Sequence, residues 1–274
     1  MYQAYWQLDR RPFENSSDPN FYYPCEAHQG AILKLRYAIE NTRGAALLTG
    51  GSGVGKTLIV EMLKRQLSEA FSPVAHLVFP QMPPEELLAY LADELDPATA
   101  PAGHPPRVNE SVRRIEKSLA ENSRQGRHAL VVVDEAHLIA EPAAWEALRL
   151  LSNFQNERGP QLTLLLCGQP ALLPAFDRMP QWEERLGVKC LLRALTLDET
   201  MSYISHRLTV AGAQAPIFDT PALEAAHFLT HGNPRKINRL CDLALLIAFA
   251  EEQPSITAPQ VEAVAQELVT VTPE

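Results

Sequence analysis

The sequence predicts an α/β fold, in which a five-stranded parallel sheet is followed by a C-terminal all-α lid domain. Apolar runs of strand length alternate with helical patterns up to Leu197, which is typical of βαβ crossovers and of a sheet covered on both faces. After Leu197, helical patterns follow one another without a strand between them. We therefore expect one domain over 1–197, whose first part (1–43) is an N-terminal segment and helix, and a lid domain over 198–274.

The spacing of apolar residues places the individual elements. Strands are predicted at 45–49, 74–79, 129–133, 161–167 and 188–192. Helices are predicted at 27–42, from the first glycine-rich turn to about 70, and at 84–95, 108–125, 142–157, 198–211, 219–231, 234–250 and 258–269. The proline-rich stretch 96–106 is predicted to be a surface loop.

The composition predicts a globular chain in a reducing compartment. Of its 274 residues, 46% are hydrophobic and 21% are charged, and the net charge of −9 disfavours a surface built mainly to coat nucleic acid or an anionic membrane. The four scattered cysteines indicate neither a zinc site nor a disulfide framework. No signal peptide is indicated, and the best candidate for a membrane span, 243–250, is far too short. We expect a cytoplasmic protein.

The turn after the first predicted strand reads 50-GGSGVGKT-57 and matches the pattern G-x-x-x-x-G-K-S/T in full. Glycines let successive backbone N–H groups point at phosphate oxygens, and the next helix presents its positive N-terminal end to the same anion. Lys56 is expected to reach the β- and γ-phosphates, and the Thr57 hydroxyl to bind Mg²⁺. The sequence thus predicts an ATP site formed by Gly50, Gly51, Ser52, Gly53, Val54, Gly55, Lys56, Thr57 and Leu58.

An acidic pair follows the strand 129-ALVVV-133. Asp134 is expected at the C-terminal edge of the sheet, where it would bind Mg²⁺, and Glu135 is expected to orient and polarise the attacking water. The letters D-E-A-H at 134–137 also occur in a class of helicases, but a helicase with two such cores does not fit in 274 residues. We therefore interpret His137 as the start of the next element, with a structural or supporting role.

Three further polar residues are candidates for the same site. Gln169, just after the fourth predicted strand, is placed to contact the γ-phosphate, or else it is a turn residue before a proline. Arg235, at the start of a lid helix, would fold onto the phosphates and distinguish ATP from ADP, or else it is a capping or surface charge. Arg185 is a candidate arginine finger that acts on the ATP of a neighbouring subunit, with Arg178 and Arg193 as rivals.

Two other pairs of residues are candidate binding groups. Tyr22 and Tyr23 either border the adenine or serve in packing. His227 and His231 are spaced to share one helix face, but no glutamate completes a zinc motif, so no metal is expected there.

Taken together, the motifs resemble those of the AAA+ ATPases of the ExeA/GspA (general secretion pathway protein A) group. The resemblance covers nearly the whole chain and rests on GGSGVGKT, the strand ending in DEAH, RLLSNF, GQPALL and HGNPRKINRLCDLAL. The N-terminal stretch 12-PFENSSDPNFYY-23, followed by His28, is also similar to that group. Gln169 departs from the asparagine or threonine usual in AAA+ proteins at large, but it suits the GQP of this group.

The resemblance implies a Mg²⁺-dependent ATPase that associates with itself into a ring or dimer and supports assembly of a secretion machine with an inner-membrane partner. Members that act in secretion usually continue into a membrane span, so the chain would be cytoplasmic or the cytoplasmic part of an inner-membrane protein. A DNA-associated AAA+ regulator of the transposition type is the alternative, which the acidic charge disfavours. A nucleotide-binding scaffold without turnover is disfavoured because Lys56, Asp134 and Glu135 are all present.

Overall fold

The computed structural model describes residues 1–16, 18–99, 107–157 and 159–270. The strands are β1 (Ala45–Gly50), β2 (Val74–Leu77), β3 (Ala129–Val133), β4 (Gln155–Asn156), β5 (Gly159–Pro160), β6 (Leu162–Gly168) and β7 (Leu186–Leu192). The helices are α1 (Tyr2–Tyr5), α2 (Glu26–Glu40), α3 (Lys56–Gln66), α4 (Pro84–Leu95), α5 (Val108–Arg124), α6 (Pro142–Leu151), α7 (Leu172–Asp177), α8 (Pro180–Glu183), α9 (Leu197–Val210), α10 (Thr220–Thr230), α11 (Pro234–Ala250) and α12 (Ala258–Thr270). Short 3-10 turns lie at Pro19–Phe21, Pro97–Thr99 and Ala136–Leu138.

Five strands form one parallel sheet in the order β2-β3-β6-β1-β7. The residues of β1, β3 and β6 are buried along the whole of each strand, as expected of parallel strands covered on both faces. Thr49 pairs with Gly168, and Val133 pairs with Leu166. The carboxyl ends of β1, β6 and β3 therefore meet at one edge of the sheet, which is the edge where open α/β sheets bind their ligands.

Some element ends differ from the predicted ones. The strand β2 stops at Leu77, because its neighbour β3 ends opposite this residue; Val78 and Phe79 are therefore left 61% and 62% exposed. The helix α6 stops at Leu151 instead of continuing to 157, and the antiparallel pair of β4 and β5 follows it. The segment after α6 is rich in asparagine, which competes for backbone hydrogen bonds and favours turns over helix.

The proline-rich loop predicted at 96–106 begins with a 3-10 turn at Pro97–Thr99. The rest of that prediction, 100–106, lies outside the described residues. In the part of the chain that the structure describes, no helix is long and apolar enough to cross a membrane.

The contacts within the chain divide it into two compact units. We call Gln29–Gly51 with Ile59–Leu192 the sheet unit, and Met1–His28 with Ser52–Leu58 and Arg193–Glu274 the helical unit. The core of the sheet unit includes Trp145, Phe176 and Trp182, whose rings meet edge to face with centroids 5.3 to 5.7 Å apart. Such aromatic pairs stabilise a core beyond the area that they bury.

The helical unit incorporates the N-terminal segment. Arg207 of α9 is only 4% exposed, and its guanidinium donates to the carbonyl oxygens of Pro12 at 2.6 Å and Glu14 at 3.0 Å. The Trp6 indole donates to the Leu245 carbonyl oxygen at 3.1 Å. The predicted domain boundary at Leu197 stays a prediction, whereas packing groups residues 1–28 with the C-terminal helices.

His128 makes the stability of the sheet unit depend on pH. Its Nε2 lies 2.9 Å from Thr163 Oγ1, and burial lowers the pKa of His128 from 6.5 to about 4. Between about pH 4 and pH 6.5, the unfolded chain binds a proton on His128 that the folded chain excludes. The free energy of unfolding therefore falls as the pH decreases below about 6.5. We expect His128 to account for a loss of about 2 kcal/mol between about pH 7 and about pH 5.

Denaturant unfolding at the two pH values, on the wild type and on His128→Gln, measures this contribution. Glutamine keeps a hydrogen-bonding amide but does not titrate, so the variant should lose less stability on acidification. Equal losses in both proteins would rule out His128 as the titrating group.

Candidate functional site

The loop 51–55 connects the end of β1 to the start of α3 at Lys56. Gly53 and Gly55 have φ angles of +80° and +103°, which side-chain-bearing residues rarely adopt. These positive angles curl the chain ahead of the N-terminus of the eleven-residue helix α3. Backbone N–H groups in such a turn, with a helix N-terminus behind them, form an anion site. Lys56, which adds the positive charge, is only 6% exposed.

The start of α11 contacts this loop within the helical unit. Asn233 caps the helix, and its side-chain N–H donates to the Ser52 carbonyl oxygen at 2.8 Å. Arg235 donates from its backbone N–H to the Gly53 carbonyl oxygen at 3.3 Å and from Nη1 to Ser52 Oγ at 3.4 Å. A Cβ on Gly53 would lie 2.7 Å from Arg235 Cβ. Arg235 thus lies against the loop that is predicted to bind phosphate.

Sequence reasoning missed the contact of Asn233. An available signal was the pair Asn233-Pro234, in which a capping residue precedes a proline at the first position of a helix. This signal locates the helix start, but it does not say which loop the cap contacts.

The N-terminal segment contacts the loop from another side. His28 Nε2 lies 3.0 Å from the Val54 carbonyl oxygen, and the Tyr22 ring stacks over the His28 ring, with centroids 6.3 Å apart. Burial raises the pKa of Tyr22 to about 12. The ring of Tyr23 packs against Tyr203 and His206. The structure shows both tyrosine rings packed against other side chains. Their contact with adenine stays a prediction.

The acidic pair lies at the end of β3 in the sheet unit. Asp134 is 6% exposed, and its backbone N–H donates to the Leu77 carbonyl oxygen at 2.9 Å. Its Oδ1 accepts the N–H of Glu135 at 2.9 Å. Glu135 has a φ of +46°, and its side chain is 46% exposed. A left-handed conformation at a residue other than glycine costs energy and concentrates at functional sites.

His137 brings the acidic pair and Gln169 together. Its Nδ1 lies 3.3 Å from Glu135 Oε2 and 3.4 Å from the backbone nitrogen of Gln169. A protonated Nδ1 donates to the carboxylate, whereas an unprotonated one accepts from Gln169, so one contact excludes the other. The end of β6 approaches closely enough that a Cβ on Gly168 would lie 3.2 Å from the His137 backbone nitrogen.

The strand order brings the ends of β1, β6 and β3 to one edge of the sheet. β6 lies between β1 and β3, so the loop after β1, Gln169 after β6 and the acidic pair after β3 all leave the sheet at its carboxyl edge. The sequence predicted each group separately, and the structure shows that the three strands leading into them end at the same edge of the sheet.

The three arginines that are candidates for an arginine finger have different surroundings. Arg185 is bound within its own unit, with Nη1 donating to Ser152 Oγ and Nη2 to Asn153 Oδ1, each at 2.7 Å. Arg193 forms two hydrogen bonds with the Glu199 carboxylate, which hold the pKa of Glu199 at about 2. Arg178 is exposed at the end of α7. The role of Arg185 in trans stays a prediction.

Residues 39–176 match the family model described as AAA domain. Since this match spans half of the 274 residues, the chain belongs to the AAA-domain family. More particularly, it is 34% identical over 272 residues to General secretion pathway protein A of Aeromonas hydrophila. The alignment covers 98% of this chain but 48% of that protein, so the chain spans about half the length of this relative. The resemblance to the ExeA/GspA group is therefore confirmed.

Solved structures show the same fold. CDC6P from Pyrobaculum aerophilum matches with a TM-score of 0.72, 16% identity and coverage of 93% of this chain and 70% of that one. The Aeropyrum pernix ORC2 protein matches with a TM-score of 0.69 and 19% identity, over 94% of this chain and 72% of that one. The Thermotoga maritima RuvB branch migration motor matches with a TM-score of 0.60 and 18% identity, over 94% of this chain and 74% of that one. The predicted P-loop AAA+ fold, with its five-stranded parallel sheet and C-terminal helices, is confirmed.

Proposed function

We propose that this chain binds ATP with Mg²⁺ and hydrolyses it to ADP and phosphate. The observation that carries the proposal is that β1 and β3, the strands that lead into the phosphate loop and the acidic pair, end at the same edge of one parallel sheet. The chemistry of these residues suggests two roles: the N–H groups of the loop and Lys56 bind phosphate oxygens, and Glu135 takes the proton of the attacking water.

The residues present fit a nucleotide with its metal. Gly53 and Gly55 take the positive φ angles that a phosphate-binding turn requires. Thr57 and Asp134 supply a hydroxyl and a carboxylate, which are hard oxygen ligands suited to Mg²⁺. The ion, when bound, would neutralise charge on the phosphates. Gln169 would orient the γ-phosphate, and Arg235, already on the loop, would report whether that phosphate is present.

We further propose that nucleotide-dependent self-association supports assembly of a secretion or envelope machine, with an inner-membrane protein as partner and this chain on the cytoplasmic side. The support is the 34% identity to General secretion pathway protein A. The net charge of −9 also weighs against nucleic acid as the main partner.

ATPase rates with and without double-stranded DNA, across a salt series, test both parts of the proposal. We expect Mg²⁺-dependent turnover that DNA leaves unchanged. Lys56→Ala is the control for turnover, because it removes the charge that binds the phosphates. Stimulation by DNA that weakens with salt would instead favour the DNA-associated regulator of the transposition type, and equal rates in the wild type and Lys56→Ala would contradict hydrolysis at this loop.

Self-association is measured by light scattering with ADP and with a slowly hydrolysed ATP analogue. A larger particle with the ATP analogue is the expected result. The same particle mass in both nucleotides would contradict nucleotide-dependent assembly.

A further inference from the structure

His28 lies against the phosphate loop in the helical unit and is only 6% exposed. Its Nε2 is 3.0 Å from the Val54 carbonyl oxygen. A carbonyl oxygen only accepts hydrogen bonds, so Nε2 carries the ring proton and donates it. His28 Nδ1 has no hydrogen-bond partner among the described residues, and burial lowers the pKa of the ring. The imidazole is therefore neutral at pH 7, in one defined tautomer.

The backbone at Gly55 is shaped to admit this ring. A Cβ on Gly55 would lie 3.2 Å from His28 Cε1 and 3.3 Å from its Nε2, which is tighter than about nine in ten real contacts of a Cβ. The φ of Gly55 is +103°. Glycine at this position thus allows both the turn and the approach of the imidazole. The Tyr22 ring, tilted by 19° from the His28 ring, packs over it.

The hydrogen bond fixes the orientation of one peptide group of the loop. The Val54 carbonyl and the Gly55 N–H belong to the same planar trans peptide, so they point in opposite directions. A donor that holds the Val54 oxygen on one side therefore turns the Gly55 N–H to the other side. Without this donor the peptide would be free to rotate. A Val54 carbonyl oxygen that turned to the side of the Gly55 N–H would repel a bound anion.

We infer that His28 is a positioning residue of the phosphate loop: it holds the Val54–Gly55 peptide so that the Gly55 N–H is directed at a bound phosphate. The inference rests on the proposed nucleotide binding and adds a residue outside the loop to it. His28 does not touch the nucleotide in this role. It acts through the backbone.

Two conservative variants separate this role from mere packing. In His28→Gln the amide nitrogen takes roughly the place of Nε2 and still donates to Val54, whereas in His28→Asn the shorter amide falls near the place of Nδ1. Both replacements are neutral and polar. We expect His28→Gln to bind ATP nearly as tightly as the wild type, and His28→Asn to bind it roughly 10- to 100-fold more weakly, the effect of losing one hydrogen bond to a buried group.

A second readout reports on the peptide itself. The chain has 13 glycines, so labelling with ¹⁵N-glycine gives a simple spectrum of amide signals. The Gly55 amide signal should move downfield when ADP binds, as expected of an N–H that donates to phosphate. The shift should persist in His28→Gln and shrink in His28→Asn. A purely structural loss would lower the melting temperature without nucleotide but would not single out this amide.

The outcomes distinguish the inference from the proposal beneath it. A wild type that binds no ATP overturns the proposed function. A wild type that binds ATP while His28→Asn binds equally well, or while both variants lose affinity alike, overturns the role of His28. Should His28→Asn not fold, a ¹H–¹⁵N spectrum of the histidines in the wild type decides: a His28 ring without a proton on Nε2 in the ADP complex overturns the inference.

Discussion

Glu135→Gln should slow ATP turnover by about 10²- to 10⁴-fold, the usual contribution of a general base, while ATP binding persists. Glutamine keeps the size of the side chain but does not take a proton from water. The glutamate side chain is 46% exposed and follows β3, so the buried strand is undisturbed. Turnover is measured by phosphate release in the presence of Mg²⁺, and binding by titration with a fluorescent ATP analogue.

Glu141→Gln is the matched control for this experiment. Glu141 is exposed at the start of α6, and its side chain makes no capping hydrogen bond. The same change of charge there should leave turnover and binding as in the wild type. Turnover of Glu135→Gln within a few-fold of the wild type would exclude Glu135 as the base.

Arg185→Ala should lower turnover by about 10³- to 10⁵-fold if the arginine stabilises the charge that develops on the phosphates of a neighbouring subunit. The side chain now donates to Ser152 and Asn153 of its own unit, so the proposed role requires those hydrogen bonds to be exchanged for contacts to phosphate. Mixing Arg185→Ala with Glu135→Gln should restore part of the activity, because mixed interfaces then contain one intact base and one intact arginine.

Two controls keep this result interpretable. Ser152→Ala removes one of the hydrogen bonds of Arg185 but keeps the guanidinium, so it should retain most of the activity. Arg178→Ala removes an exposed arginine from the same stretch of chain and tests the rival finger directly. If Arg185→Ala associates as the wild type does and the mixture recovers no activity, Arg185 does not act in trans.

Much of the fold could be predicted from local sequence because parallel strands buried on both faces are short continuous apolar runs. The runs at 45–49 and 129–133 became β1 and β3 almost unchanged. The predicted end of β2 was wrong by two residues, because the length of an edge strand is set by its neighbour. Here the neighbour β3 ends at Val133, which pairs with Leu77. Likewise, a helical pattern in the sequence extends past Leu151, but turn-forming residues after it end α6 there.

The chemistry proposed for the site can be predicted from the sequence alone, because the phosphate loop and the acidic pair are contiguous motifs whose residue types and spacing indicate their roles. Which other side chains contact these motifs depends on the tertiary packing. Asn233 and His28 are 181 and 26 residues from their loop partners Ser52 and Val54, and His137 reaches Gln169 only because β3 and β6 are neighbours in the sheet. Such contacts depend on the packing of distant segments, and no local pattern of residues encodes that packing.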